Sequence, residues 1–135
     1  MGELTAAVTD THALLFHAAG GGTLGTKAAA HFAACERREA LVYVPTAVIW
    51  ECALLARAGR VNLRRSVRHF FEDVFSNPAY HPHDLTAGQV FAGEEMRVNR
   101  DPFDALICAA ARDLELPLIT RDGDIRSSGL VRVIW

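Results

Sequence analysis

Asp10, Glu51, Asp101, Asp104, Asp122 and Asp124 are the residues whose type and placement suit them to act together. Asp10 closes an apolar run, and Glu51 sits inside Val48-Ile49-Trp50-Glu51-Cys52-Ala53-Leu54. Asp101 and Asp104 open a second apolar segment, and Asp122 and Asp124 follow Leu118-Ile119-Thr120. Taken singly, most have an ordinary structural use. Asp10 suits a helix cap, and so does Asp101, with Pro102 at the first helical position. Asp104 at the third position favours the helix dipole, and Asp122-Gly123 is turn chemistry. Glu51 is the exception, because an acid buried unpaired in an apolar helix is costly and calls for a partner or a metal. Taken together, gathered carboxylates repel one another unless a positive charge offsets them. Hard oxygen donors with no accompanying His or Cys cluster point to Mg²⁺ or Mn²⁺.

The elements that must position these acids are legible as a β-α alternation. Apolar runs predict strands at 4–9, 41–44, 118–120 and 131–135, with a weak one at 80–85 interrupted by Pro82. A short first helix runs through Leu14, Leu15 and Phe16 and breaks at Gly20-Gly21-Gly22. Residues 24–38 read as a second helix with Leu24, Ala28, Phe32 and Cys35 on one face. Thr46 is expected to cap a third helix reaching residue 58, and Gly59 to end it. Residues 63–75 read as a fourth helix. Thr86-Ala87-Gly88-Gln89 matches a capping box and opens a fifth, running to about Met96. Asp101-Pro102 opens a sixth, with Phe103, Leu106, Ile107, Ala110, Ala111 and Leu114 at helical spacing. The expected fold is α/β: a mostly parallel central sheet with helices on both faces. In such a sheet the strand C-terminal ends share one edge, where ligands bind, so acids from four regions are expected to converge there.

Composition bounds the rest. At 135 residues, half hydrophobic and 22% charged, the chain fits one domain, 1–135, and excludes intrinsic disorder. A net charge of −2 argues against coating by polyanion through bulk charge. Lys27 is the only lysine among the 14 basic residues, and arginine suits bidentate contacts to phosphate or carboxylate. Arg64 and Arg68 are expected on one helix face, with Arg60 one turn earlier if the helix extends, either facing a nucleic-acid phosphate backbone or simply solvated. Arg97, Arg100 and Arg121 lie near the acidic segments and suit pairing with them or with phosphate. Cys35, Cys52 and Cys108 lack paired spacing and read as reduced, buried thiols. His81-Pro82-His83 is too closely spaced for a zinc site, and His12 and His17 look incidental. Trp50 and Trp135 read as core or interface anchors. With no run approaching the length of a membrane span, the expectation is a soluble, cytoplasmic protein without membrane contact.

Four segments in order carry a family resemblance: Val8-Thr9-Asp10-Thr11-His12-Ala13-Leu14-Leu15, Val44-Pro45-Thr46-Ala47-Val48-Ile49-Trp50-Glu51, Asp101-Pro102-Phe103-Asp104-Ala105-Leu106-Ile107 and Thr120-Arg121-Asp122. Each is weakly specific, but their order across nearly the whole chain resembles the PIN-domain nucleases, and within them the VapC-type toxins of toxin–antitoxin pairs. The resemblance implies a PIN-like three-layer α/β/α sandwich. It implies an acidic quartet of Asp10, Glu51, Asp104 and Asp122 binding Mg²⁺ or Mn²⁺, with Asp10 and Asp104 in direct contact. Asp101, Thr120 and Asp124 would be accessory. The implied reaction is metal-dependent hydrolysis of an RNA phosphodiester, in line at phosphorus, giving 5′-phosphate and 3′-hydroxyl ends. The implied partners are an RNA substrate, a VapB-type antitoxin whose extended Arg-bearing segment covers the acidic crevice, and a second copy of the chain. Leu14, Leu15, Phe16 and the Phe70-Phe71 region are candidates for the apolar groove beside that crevice.

Three other readings compete. An RNA-binding or RNA-processing domain of the same fold without a toxin role would keep the motifs. A phospho-receiver module would need paired acids after the first strand and a lysine near the last, whereas Lys27 lies elsewhere. An aspartyl-phosphate phosphatase would need a second acid where His12 stands.

Overall fold

The structure is a computed structural model describing residues 4–135. Five parallel strands form one sheet in the order β3-β2-β1-β4-β5, where β1 is Thr5–Thr9, β2 Ala40–Pro45, β3 Tyr80–His83, β4 Leu118–Ile119 and β5 Val133–Ile134. Ala7, Val8 and Thr9 point alternately to opposite faces, yet all are fully buried, so helices cover the sheet on both sides. The helices are α1 (Thr11–Ala18), α2 (Thr26–Glu36), α3 (Thr46–Arg57), α4 (Val67–Ser76), α5 (Ala87–Met96), α6 (Pro102–Leu114) and α7 (Gly123–Ser128). The predicted α/β class and parallel sheet are what the chain adopts.

Placing β1 between β2 and β4 creates the feature that matters for function. The chain leaves β1 toward β2 on one side, and β4 returns to the other side. The crevice beyond the C-terminal ends of β1 and β4 is therefore a topological switch point, where an open parallel sheet accepts ligands. Thr9 pairs with Ile119 at that end, so the residues following each strand emerge side by side.

Local details depart from the sequence reading in ways with physical causes. Thr46 is the first residue of α3 and not its cap. Its hydroxyl accepts from the Leu85 N–H and ties the start of α3 to the loop after β3. The fourth helix begins only at Val67, capped by Ser66, because Asn62 captures the Arg64 N–H and Arg64 adopts a left-handed conformation. The short helix α7 was not anticipated. Asp122 accepts from the Ile125 N–H and so turns the expected turn into a capped helix. In the Thr86 capping box only the threonine half forms. Gln89 turns away to His83, the Asp84 carbonyl and Asp113.

Cys35, Cys52 and Cys108 are fully buried and unpaired, as expected. Burial pushes the Cys35 thiol up to about 11, and those of Cys52 and Cys108 to about 12. These thiols are expected to resist a thiol-titrating disulfide reagent in native buffer and to react fully in denaturant. Rapid stoichiometric labelling of the native protein would show the burial to be wrong. Among the described residues, no helix is long and apolar enough to cross a membrane.

Candidate active site

The switch-point crevice is acidic. It has a volume of about 220 Å³ and is lined by Asp10, Asp101, Asp104 and Asp122, together with His12, Phe16, Arg121 and Trp135. Three of the acids stand there because they cap helices. Asp10 Oδ1 accepts from the Ala13 N–H at 2.8 Å and starts α1. Asp101 Oδ1 accepts from the Phe103 N–H at 2.8 Å and starts α6, with Pro102 in the first turn. Asp122 Oδ1 accepts from the Ile125 N–H at 2.9 Å and starts α7. Such caps contribute about 1 kcal/mol each and leave the second carboxylate oxygen for other work. Asp104, in the first turn of α6, has Oδ2 held by the Asn99 amide at 2.8 Å.

Glu51 lies on α3, half-buried at the edge of this cluster, and it does not itself line the crevice. The Thr11 hydroxyl donates to its Oε1. Burial, Thr11 and the charges of Asp101, His12 and Asp10 all act on Glu51, and burial prevails, raising its pKa. Asp10, 7% exposed, is raised chiefly by burial, against the opposing effects of Thr120, the Ala13 N–H and His12. Burial pushes Asp104 up to about 6, with Asn99 opposing and Asp101, Asp122 and Asp10 adding to the rise. Among the described residues none of these carboxylates has an ion-pair partner.

That imbalance tests whether a metal fits. Oxygen donors that repel one another and, among the described residues, make no ion pair match the hard-ligand preference of Mg²⁺ or Mn²⁺. Among the described residues no three His, Cys, Asp or Glu side chains form a ready-made cage. A small divalent ion that keeps several waters and takes one or two carboxylates does not need one. The donor set fits such a hydrated ion.

The remaining predicted residues divide. Thr120 is fully buried, and its hydroxyl accepts from the Asp122 N–H at 3.1 Å. Arg121 lines the crevice with its guanidinium carbon 5.0 Å from the Phe16 ring centroid. Asp124 and Arg100 are exposed and line no part of it. The expected Arg64–Arg68 helix face does not form, and the helix does not extend back to Arg60, since only Arg68 of the three is helical. Arg64 instead borders a separate cavity of about 690 Å³, and Arg68 a groove with Phe71 and Phe75.

Several contributors escaped the sequence reading. Thr11 reaches a residue 40 positions away, which no local pattern signals. His12, read as incidental, lines both the acidic crevice and the 690 Å³ cavity, as does Phe16, a groove candidate one turn further along α1. Trp135 reaches the crevice rim because Gly25 permits it. A Cβ at Gly25 would collide with the Trp135 backbone, whose carbonyl accepts the Ala28 N–H. Trp50, expected as a core or interface anchor, is 51% exposed, with Arg57 above its ring.

The sequence pattern of the PIN domain matches residues 7–129. The chain belongs to the PIN domain family. No curated protein sequence matches it. Among solved structures, this PIN domain is similar to a chain of a toxin–antitoxin complex from Klebsiella pneumoniae (16% identity, TM-score 0.63, covering 96% of each chain). It is similar to VapBC2 from Rickettsia felis bound to a promoter DNA fragment (12% identity, TM-score 0.67, covering 96% of this chain and 97% of that one). It is also similar to DNA-bound VapBC from Salmonella typhimurium (13% identity, TM-score 0.64, covering 97% of each). At such identities the likeness is one of fold.

Proposed function

We propose that this PIN domain is a metal-dependent endoribonuclease and the VapC-type toxin of a toxin–antitoxin pair. The observation that carries the reading is the meeting of Asp10, Asp101, Asp104 and Asp122 in one crevice at the switch point of the sheet. Asp10 and Asp104 would hold Mg²⁺ or Mn²⁺. When bound, the ion lowers the pKa of a water and neutralises charge on the scissile phosphate. Asp122 and Glu51 orient waters, Glu51 kept in place by Thr11. Thr120 fixes the backbone of Asp122. Arg121, packed on Phe16 and without an ion pair among the described residues, presents a cation to a phosphate oxygen. The test is cleavage of end-labelled RNA. Activity is expected with Mn²⁺ or Mg²⁺, to vanish in EDTA, and to leave 5′-phosphate ends. Cleavage persisting in EDTA, or 2′,3′-cyclic ends, would refute the mechanism.

The partners follow from the same surfaces. The acidic crevice favours a basic antitoxin segment. Beside it lies the 690 Å³ cavity lined by Leu15, Phe16, Val61, Leu63 and Phe70, which suits that segment's apolar side chains. Leu14 and Phe71, candidates for this groove, are buried and line no part of it. Trp50 and Leu54 on α3, and Val90 and Phe91 on α5, leave apolar surface exposed, Phe91 by 67%, consistent with a homodimer face. Phe91→Glu is expected to shift sedimentation toward monomer, and an unchanged mass would remove α5 from that face.

A further inference from the structure

We propose that Asn99 is the positioning residue for Asp104. Asn99 lies in the loop between α5 and α6, half-buried, and its side-chain amide makes two bonds. Its Nδ2 donates to Asp104 Oδ2 at 2.8 Å, and its Oδ1 accepts from the Asp101 N–H at 2.8 Å. The second bond is an Asx turn, which locks the loop onto the first turn of α6. The first bond uses that locked platform to hold one oxygen of a carboxylate that must serve the crevice. Among the described residues the other oxygen of Asp104 carries no protein hydrogen bond, so the clamp fixes the carboxylate while leaving one oxygen for a ligand. A partner that orients a metal-ligating group in this way typically matters 10–100-fold, at about the level of metal affinity.

The proposal rests on the metal-nuclease reading, and the experiment keeps the two apart. Asn99→Ser retains a hydroxyl able to accept from the Asp101 N–H, so the turn persists, but it is too short to reach Asp104. Asn99→Ala removes both bonds. Mn²⁺ is titrated calorimetrically into metal-free wild type, Asn99→Ser, Asn99→Ala and Asp104→Asn, with urea melts in EDTA alongside. Both Asn99 variants are expected to bind Mn²⁺ about tenfold more weakly. Asn99→Ser is expected to melt like wild type and to regain most of its cleavage rate at saturating Mn²⁺. Should Asn99→Ala fail to fold, Asn99→Ser decides alone. Wild-type Mn²⁺ affinity in Asn99→Ser, with binding lost in Asp104→Asn, overturns the role of Asn99 and leaves the metal site standing. Wild-type affinity in both removes the metal reading and the positioning role with it.

Discussion

Asp104→Asn is expected to slow RNA cleavage by about a hundredfold or more while making the metal-free protein more stable, not less. The two effects have one cause. Asp104 is half-buried beside Asp101, Asp122 and Asp10, and its folded-state pKa rises from 3.8 to about 6. At neutral pH the folded state must hold it ionised at a cost the unfolded chain does not bear. A rise of this size corresponds to at most about 3 kcal/mol, reduced by partial solvent access and by the favourable helix-dipole position. A net gain of about 1–2 kcal/mol in urea melts at pH 7 in EDTA is therefore expected. The asparagine can still accept from Asn99, so the clamp survives. The sign against pH is fixed by the direction of the shift. Well below pH 3.8 the acid is protonated in both states and costs nothing. As pH rises through about 6 the folded state loses a proton it held preferentially, and stability falls. The mutant's advantage should appear at pH 7 and vanish well below pH 3.8. An Asp104→Asn protein less stable than wild type at pH 7 would mean the carboxylate serves α6 rather than a ligand. Asp10→Asn is expected to behave alike, since asparagine caps α1 as well as aspartate does and Asp10 is raised chiefly by burial.

The acids were legible in the sequence because strand ends and helix caps are written locally. Apolar runs end, an Asx or Pro signal follows, and a parallel sheet brings all such points to one edge. Asp10 and Asp101 cap α1 and α6, the ordinary reading, and the same caps stand both carboxylates on the wall of the crevice, so the ordinary and the proposed uses do not compete. What failed was longer-range or conformational. The arginine stripe presumed a helix through Arg64, but the Asn62 side chain holds that segment in a turn, and a helix cannot pass a left-handed residue at that point. Thr11 and Glu51 meet only through tertiary packing. Phe16 beneath Arg121 depends on the rotation of α1, which a helix of eight residues with little amphipathic contrast does not declare. Asn99 did carry a local signal, an Asn two residues before the capping Asp101, but a signal for a turn says nothing about Asp104.

Glu51→Gln is the second large effect, and it decides whether Glu51 belongs to the active site. An acid on α3 between Trp50 and Cys52 has two possible reasons to exist: an ion pair with a nearby arginine, or service to a cation in the crevice. Among the described residues Glu51 has no ion-pair partner. Its bond is from the Thr11 hydroxyl, and Asp101 and Asp10 act on it as like charges. Glutamine still accepts from Thr11 and carries no charge to bury, so the metal-free fold should melt at or slightly above wild type at pH 7. Had a buried arginine depended on Glu51, removing the charge would cost about 3–5 kcal/mol. Because Glu51 stands at the edge of the crevice, its effect on Mn²⁺ affinity should be milder than that of Asp104. Cleavage should nonetheless fall about 10–100-fold if Glu51 orients waters as proposed. Calorimetric titration of Mn²⁺, urea melts in EDTA and RNA cleavage at saturating Mn²⁺ separate the outcomes. A lowered melt with unchanged Mn²⁺ affinity and unchanged cleavage would assign Glu51 to the fold and leave Asp10, Asp104 and Asp122 as the site. That Glu51 makes no ion pair among the described residues, and that burial beside Asp101 and Asp10 raises its pKa, are why the active-site outcome is expected.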